Sequence, residues 1–288
     1  MEKANCRVCV TGATGDVSKV ELLKSLPHAD TKLVLFEADI YKPNEFEQAI
    51  HGCSFVFHVA TPLQHSDDSQ FKNTTEAAVS ATKSIAECCI KSGTVKRLIY
   101  TASVCAASPL KEDGNGYKDT MDETCWTPLD LSLAYSYEFF KASSEYTVSK
   151  TLAEKELLNS EKYGELEVLT NNTFTDQFMK YTEELLGKLP IVHINDVCEA
   201  HIFCMENPSI SGRFLIASSF ISAAELAGCF QLHYPEFNVK AEKFDGPRRD
   251  IKWDSTKLIE KGFEYKCDLK MKIDDSIKCA RRTGELQQ

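Results

Sequence analysis

Short apolar runs alternate along the chain with stretches of helical periodicity, the pattern of a parallel sheet covered by helices on both faces. "RVCVTG" reads as the first strand. "VSKVELLKSL" then sets Val17, Val20, Leu22, Leu23 and Leu26 along one side of a helix that Pro27 closes. "KLVLFEAD" is a second strand, and "NEFEQAIHG" is a helix with Asn44 at its cap and Gly52 at its end. "SFVFHVA" is a third strand, with Thr61 and Pro62 just past its carboxyl end, where open parallel sheets place ligands.

A long helix spans Thr74 to Ser92, and "VKRLIYTASV" supplies a strand ending at Ser103. The irregular stretch from Ser108 to about Leu133, with Trp126 as its large apolar anchor, reads as a loop over the site. "EYTVSKTLAEKELLNSEK" is a strong helix with Glu154, Lys155 and Glu156 on its wet face, and "ELEVLT" is a buried strand. Beyond it, "NNTFTDQFMKYTEELLGK" is helix-like, "LPIVHI" is a short strand, and "DVCEAHIFCMEN" is a helix beginning at Asp196. The rest alternates short strands and helices without an internal repeat. The expected fold is therefore α/β: a doubly wound parallel sheet over residues 1–170, followed by a smaller mixed α/β substrate lobe over 171–288.

Composition narrows the function classes. Asp and Glu outnumber Lys and Arg by 43 to 33, and the net charge of −10 repels phosphate backbones and anionic lipid surfaces. Nucleic acid and membrane are excluded as partners on this ground. No window approaches a bilayer-spanning apolar run, and "MEKANCRVCV" lacks the regions of a signal peptide, so a cytoplasmic address is expected. The 12 cysteines sit inside apolar runs such as "AECCI" and read as reduced, buried thiols. No metal is expected: Cys6 and Cys9 have no second pair, and the spacing of His193, Cys198 and His201 matches no zinc pattern.

The most specific chemistry is Tyr146-Thr-Val-Ser-Lys150 on a helix, with Ser103 at an earlier strand end. Residues four apart share a helix face, so the Lys150 ammonium can lie near the Tyr146 phenol and lower its pKa. Ser103 can hydrogen-bond a substrate carbonyl while Tyr146 supplies a proton and a nicotinamide supplies hydride. Asp122 and Glu123 are also a carboxylate pair, but adjacent residues rarely converge on one glycosidic bond.

A Gly-rich turn after the first strand, a strand-end Ser and then a Tyr-x-x-x-Lys helix resemble the short-chain dehydrogenase/reductase family. Longer motifs carry the resemblance further: "VCVTGATG", "FEADI", "VFHVATP", "KRLIYTASV", "MDETCWTPLDL", "YTVSKTLAEKELL", "VHINDVCEAHIF" and "KGFEYK". Together they are similar to the extended members of plant phenolic metabolism, the dihydroflavonol 4-reductase, anthocyanidin reductase and vestitone reductase group. The Asn-Trp-Tyr-Cys-Tyr segment of the cinnamoyl-CoA reductase branch is not present. The resemblance implies a Rossmann-type fold, NADP(H) as cofactor, reduction of a phenolic ketone and a monomer or weak homodimer. It implies Ser103, Tyr146 and Lys150 as catalytic residues. It also implies Gly12, Thr14, Gly15, Asp39, Ile40, Val59, Ala60 and Thr61 as cofactor contacts beside Tyr146 and Lys150, and Met121 and Trp126 at the substrate opening.

The sequence departs from that pattern in three places. After Gly15 the third glycine position is Ser18, and "KLVLFEAD" arrives too soon for helix, strand, helix and strand, so a unit of roughly thirty residues is missing. One expectation is that "VSKVELLKSL" becomes the first crossover helix and "KLVLFEAD" moves beside the first strand. Glu37 or Asp39 would then meet an unphosphorylated ribose and shift preference toward NAD(H). "ASSEYTVSK" carries extra residues ahead of Tyr146, and the Pro- and Gly-containing loop that follows "LEVLT" in the family is absent.

Overall fold

A computed structural model describes residues 6–12, 17–62, 69–113, 116–130, 138–159, 176–240, 244 and 249–284. Its centre is a parallel sheet in the order β1 (Val8–Thr11), β2 (Phe55–His58) and β3 (Arg97–Tyr100). The registers Cys9–Val56–Leu98 and Val10–Phe57–Ile99 align the three strands. Successive side chains face opposite ways, so Cys9, Val56 and Leu98 line one face and Val10, Phe57 and Ile99 the other.

The first face is fully covered. Ile50 from α3 (Phe46–Ile50), Ala78 and Ile85 from α4 (Thr74–Ser92) and Ala153 and Leu157 from α5 (Glu138–Asn159) close over Cys9, Val56 and Leu98. The predicted span of α4 is met at both ends. Asn73 caps it by accepting from the Glu76 amide, and Gly93 ends it in the left-handed conformation at φ 64°. The helix at "NEFEQAIHG" is shorter than expected: Pro43–Glu45 form a 3-10 turn, so Asn44 lies inside that turn and is not a cap.

The second face is covered only in part. Val197, Ala200 and Cys204 of α7 (Ile194–Glu206), with Phe214, Ile216, Leu258 and Phe263, pack on Ile99 and Phe57. Val8 and Val10 of β1 remain exposed. The expected crossover does not form: in α1 (Val17–Lys24) and the turn after it, Leu22 and Leu26 are exposed, and α1 packs on α2 (Ala29–Lys32). "KLVLFEAD" makes no strand either. Among the described residues β1 pairs with β2 alone, and Val34, Leu35 and Phe36 are exposed. The physical reason is length: an eight-residue helix and a short turn carry too little apolar surface to cross the sheet and seat a strand.

Two small sheets complete the described structure. β4 (Thr120–Met121) pairs in parallel with β7 (Lys252–Trp253), and β5 (Leu189–Ile191) pairs antiparallel with β6 (Ser219–Ile221). The helix α6 (Asp176–Leu186) packs on β5 and on α8 (Ala223–His233), which opens with a Ser222–Glu225 capping box, and α9 (Leu269–Thr283) reaches Ser218 and Ser219 through Lys272. "RFLIAS" is buried from Phe214 to Ala217 without forming a strand. All twelve cysteines are free thiols, seven of them buried. The predicted strand "ELEVLT" and the 170/171 domain boundary lie outside the described residues.

Candidate active site

The site is built at the carboxyl ends of the three central strands. β3 runs through Thr101 and Ala102 into Ser103, which caps the 3-10 turn Val104–Ala106 by accepting from the Cys105 amide at 3.2 Å. Tyr146 and Lys150 lie one turn apart on α5, which packs against that 3-10 turn. The Ser103 side chain lies close enough to the Tyr146 phenol to act on its pKa. The structure thus brings together the three residues that the sequence set forty-odd positions apart.

Tyr146 is half-buried and packs with Val104, Cys105, Tyr181 and Leu185. Burial pushes its pKa up to about 12; the neighbouring Cys105 adds to the rise and the Ser103 hydrogen bond opposes it. The expectation that Lys150 sets a lowered phenol pKa is therefore replaced: desolvation dominates, and the phenol holds its proton at neutral pH. Lys150 itself is buried, with its Nζ donating to the Thr101 carbonyl at 2.9 Å and lying 5.2 Å from the Tyr100 ring centroid.

A buried polar chain supports the wall opposite. The Thr11 hydroxyl accepts from the Val59 and Ala60 amides at 3.1 and 3.2 Å, so its single proton goes to His58 Nδ1 at 2.9 Å. Nδ1 being an acceptor, Nε2 carries the ring proton and donates to the Thr82 hydroxyl at 3.3 Å. His58 is wholly buried, and desolvation, with the Lys150 charge, lowers its pKa to about 3. This network locks the end of β1 to the end of β2. Gly12 continues from it at φ 80°, and a Cβ there would stand 2.9 Å from Ala60 Cα and N, so only glycine fits.

The remaining sequence-predicted contacts are dispersed. Val59 is exposed and Ala60 and Thr61 half-buried at the end of β2, with Gly12 exposed beside them. Thr14 and Gly15 lie outside the described residues. Asp39 is exposed, its Oδ1 accepting from the Tyr41 amide and its own amide donating to Glu45 Oε2, while Ile40 packs into the core under the first face. Because "KLVLFEAD" does not join β1, neither Glu37 nor Asp39 takes the strand-end position required for the NAD(H) expectation.

Met121 is fully buried with Ala107, Cys125, Leu215 and Ile251, below the surface of any opening. Trp126 carries the Arg213 guanidinium at 3.8 Å and the Lys155 ammonium at 5.0 Å from its ring centroid. The stretch expected to be a loop over the site is thus largely packed down: Ser108, Leu110 and Thr127 are buried, and Leu110 bridges to Tyr117. Asp122 serves its own turn by accepting from the Thr124 amide and hydroxyl, and Glu123 accepts from the Leu215 amide.

Sequence reading missed the hub of this region. Glu154, expected on a wet face, is buried and accepts from Arg213 Nε at 2.5 Å. Arg213 also donates to the carbonyls of Glu123, Cys125 and Ala106. One guanidinium therefore joins the Tyr146 helix, the turn after Ser103 and the Trp126 segment. A Glu among helical surface residues gives no sign of burial until its partner, over fifty residues away, is in place. His193 and His201 also find separate partners, Asp275 and the Thr101 hydroxyl, and no cluster of three metal-ligand residues occurs among the described residues.

The model of the 3-beta hydroxysteroid dehydrogenase/isomerase family matches residues 13–166, more than half of the chain. The chain belongs to that family. The family is one of NAD(P)H-dependent oxidoreductases, and its extended short-chain members include the curated relatives of this chain. Dihydroflavonol 4-reductase of Callistephus chinensis is 30% identical, over 94% of this chain and 79% of the relative. Vestitone reductase of Medicago sativa is 30% identical, over 99% and 100%. That second match runs over 336 positions against a chain of 288 residues, so it can be made only with gaps in this member of the family. Among solved structures, vestitone reductase from alfalfa has a TM-score of 0.74 and 28% identity, covering 98% of this chain and 92% of that one. Yeast methylglyoxal/isovaleraldehyde reductase Gre2 complexed with NADPH has a TM-score of 0.70 at 20% identity over 97% and 92%, a likeness of fold. The Rossmann-type α/β architecture of the family is the one found here. No helix among the described residues is long and apolar enough to cross a membrane.

Proposed function

We propose that the chain reduces the carbonyl of a small phenolic, flavonoid-type ketone, with NADP(H) as the cofactor. Residues 1–170 hold the cofactor and residues 171–288 contribute the substrate side. The observation that carries this reading is the packing of the helix bearing Tyr146 and buried Lys150 against the turn that Ser103 caps, with Lys150 bonded to the Thr101 carbonyl two residues before Ser103. Gly12, Val59, Ala60 and Thr61 line the strand ends where a dinucleotide would lie, and the close approach of Gly12 to Ala60 fits a backbone-lined cradle. The bound nicotinamide supplies hydride to the carbonyl carbon. Ser103 orients the carbonyl oxygen, and Tyr146, protonated at neutral pH, gives that oxygen its proton. Lys150, held by the Thr101 carbonyl one helical turn from Tyr146, would hold the cofactor ribose.

A second reading has its own observation. The segment of Asp39 does not reach β1, so among the described residues no strand walls the adenine end of the cleft. In this reading the chain keeps the fold and acts without turnover, as a binding or regulatory partner. Thermal unfolding with NADPH and with NADH separates the two. A nicotinamide at one hundred times its dissociation constant stabilises by about 2.7 kcal/mol, and no shift with either favours the second reading. Where reduction is seen, Tyr146→Phe is expected to abolish it while leaving the cofactor-induced shift; unchanged turnover refutes the role of Tyr146.

A further inference from the structure

Among the described residues β1 has one partnered edge and one open edge. The Arg7 carbonyl accepts from the Phe55 amide, so by the alternation of a parallel ladder Arg7, Cys9 and Thr11 turn their backbone groups to β2. Val8 and Val10 turn theirs to the open side, and these residues are 38% and 51% exposed. No described strand answers them. An unpaired N–H and C=O row beside exposed valines is a template for an added strand.

The chain carries a segment that fits it. Leu33 leaves α2 in an extended conformation, and Val34 and Phe36 are 73% and 45% exposed. Among the described residues no hydrogen bond takes the backbone of Val34 or Phe36. Antiparallel alignment of 33–37 on 7–11 sets Val8 opposite Phe36 and Val10 opposite Val34, as hydrogen-bonded pairs. Cys9 then faces Leu35, and the exposed Arg7 faces the exposed Glu37 at a non-hydrogen-bonded position, where cross-strand side chains approach most closely. A shift of two residues one way brings in Ala38, which with Ile40 is already committed to the chain's own core, and the other way sets Val10 against Lys32 and Arg7 against Leu35. Charge and apolar pattern therefore select one register.

We propose that two copies of this chain associate reciprocally about a two-fold axis, each laying its Leu33–Glu37 segment along the open β1 edge of the other. The pairing is isologous and closed, so assembly stops at two. It occupies the place left by the shortened connection after β1 and does not depend on cofactor binding or turnover.

Sedimentation velocity of the full chain over a wide concentration range tests it. A concentration-dependent species of twice the chain mass is expected; a monomer throughout, or open-ended growth, overturns the proposal. Val10→Lys and Val34→Lys, both at exposed positions, are each expected to abolish the dimer, with the urea midpoint of the monomer confirming that the variant still folds. Arg7→Glu and Glu37→Arg are each expected to weaken it by roughly tenfold, and the double exchange to restore it. A dimer indifferent to these charge changes uses another surface and overturns the assignment.

Discussion

At β3 the central sheet is closed on both faces: Leu98 lies under α4 and α5, and Ile99 under α7. Two strands away, at β1, Cys9 is covered on the same side as Leu98, while Val10, in register with Ile99, is half in water. Val10 and Ile99 are both β-branched and apolar. What differs is the cover that the connecting chain provides. The long helix before β3 and the helix after β5 bring enough apolar surface to seal the sheet, whereas α1 turns Leu22 and Leu26 outward and the following segment passes the edge by. Burial of a strand thus depends on the length of its connections as well as on its own residues.

The same contrast runs through the site. On the closed side, Ser103, Tyr146 and Lys150 are held by packed core and by the Arg213 hub. On the open side the ends of β1 and β2 rest on the Thr11–His58–Thr82 chain and on the Gly12–Ala60 contact, with no described strand beyond β1.

The largest expected effect breaks the closed side. Arg213→Met leaves Glu154 buried without its cation and strips three carbonyls of a donor, and a loss of about 3–5 kcal/mol is expected in urea unfolding. Replacing both partners, as in Arg213→Met with Glu154→Met, is expected to recover much of it; no recovery would assign the loss to the carbonyls instead. Next, Ile99→Ala is expected to cost about 3 kcal/mol through lost burial and a residual cavity, and Val10→Ala, measured where the chain is monomeric, less than about 0.5 kcal/mol. Equal costs at these two positions would show that β1 is covered in solution.

The third prediction concerns the link between the two sides. His58 is held at about 3 in the folded chain against 6.5 for a free histidine. Between these values the unfolded chain binds a proton that the folded chain does not. His58 therefore contributes stability that is full above about pH 6.5 and is lost as pH falls toward 3. Acidification from pH 7 to pH 5 is expected to cost on the order of 2 kcal/mol, and His58→Gln to flatten that slope in urea titrations at stepped pH. An unchanged slope would place the acid sensitivity in other groups.

Much was legible before the fold was known, because it depends on local pattern. The helix at Thr74–Ser92 follows from its cap, its apolar side and its terminal glycine. Tyr146 and Lys150 share a helix face by spacing, and the strand ends carrying Gly12, Thr61 and Ser103 follow from apolar runs broken by small and polar residues. The missing unit after Gly15 was visible as a connection too short for its elements, although its consequence was not: "KLVLFEAD" has strand composition and forms no strand, since pairing needs a neighbour within reach.

Other features exist only once distant segments meet. Glu154 is an ordinary surface residue by periodicity and is buried only because Arg213 arrives to pair with it. His58 sits as a polar break within "VFHVATP", and its tautomer is set by Thr11 and Thr82 from two other elements. The Tyr146 pKa follows chiefly from burial against a core cluster assembled from distant segments, and the one-turn spacing to Lys150 did not foretell it. The sequence by itself determined the family, the helix that carries Tyr146 and Lys150 and the strand ends at Gly12, Thr61 and Ser103, because these rest on short-range geometry. Only the tertiary structure decided which polar groups are dry and paired and which edge of the sheet is left open, because desolvation and strand pairing depend on what the rest of the chain can cover.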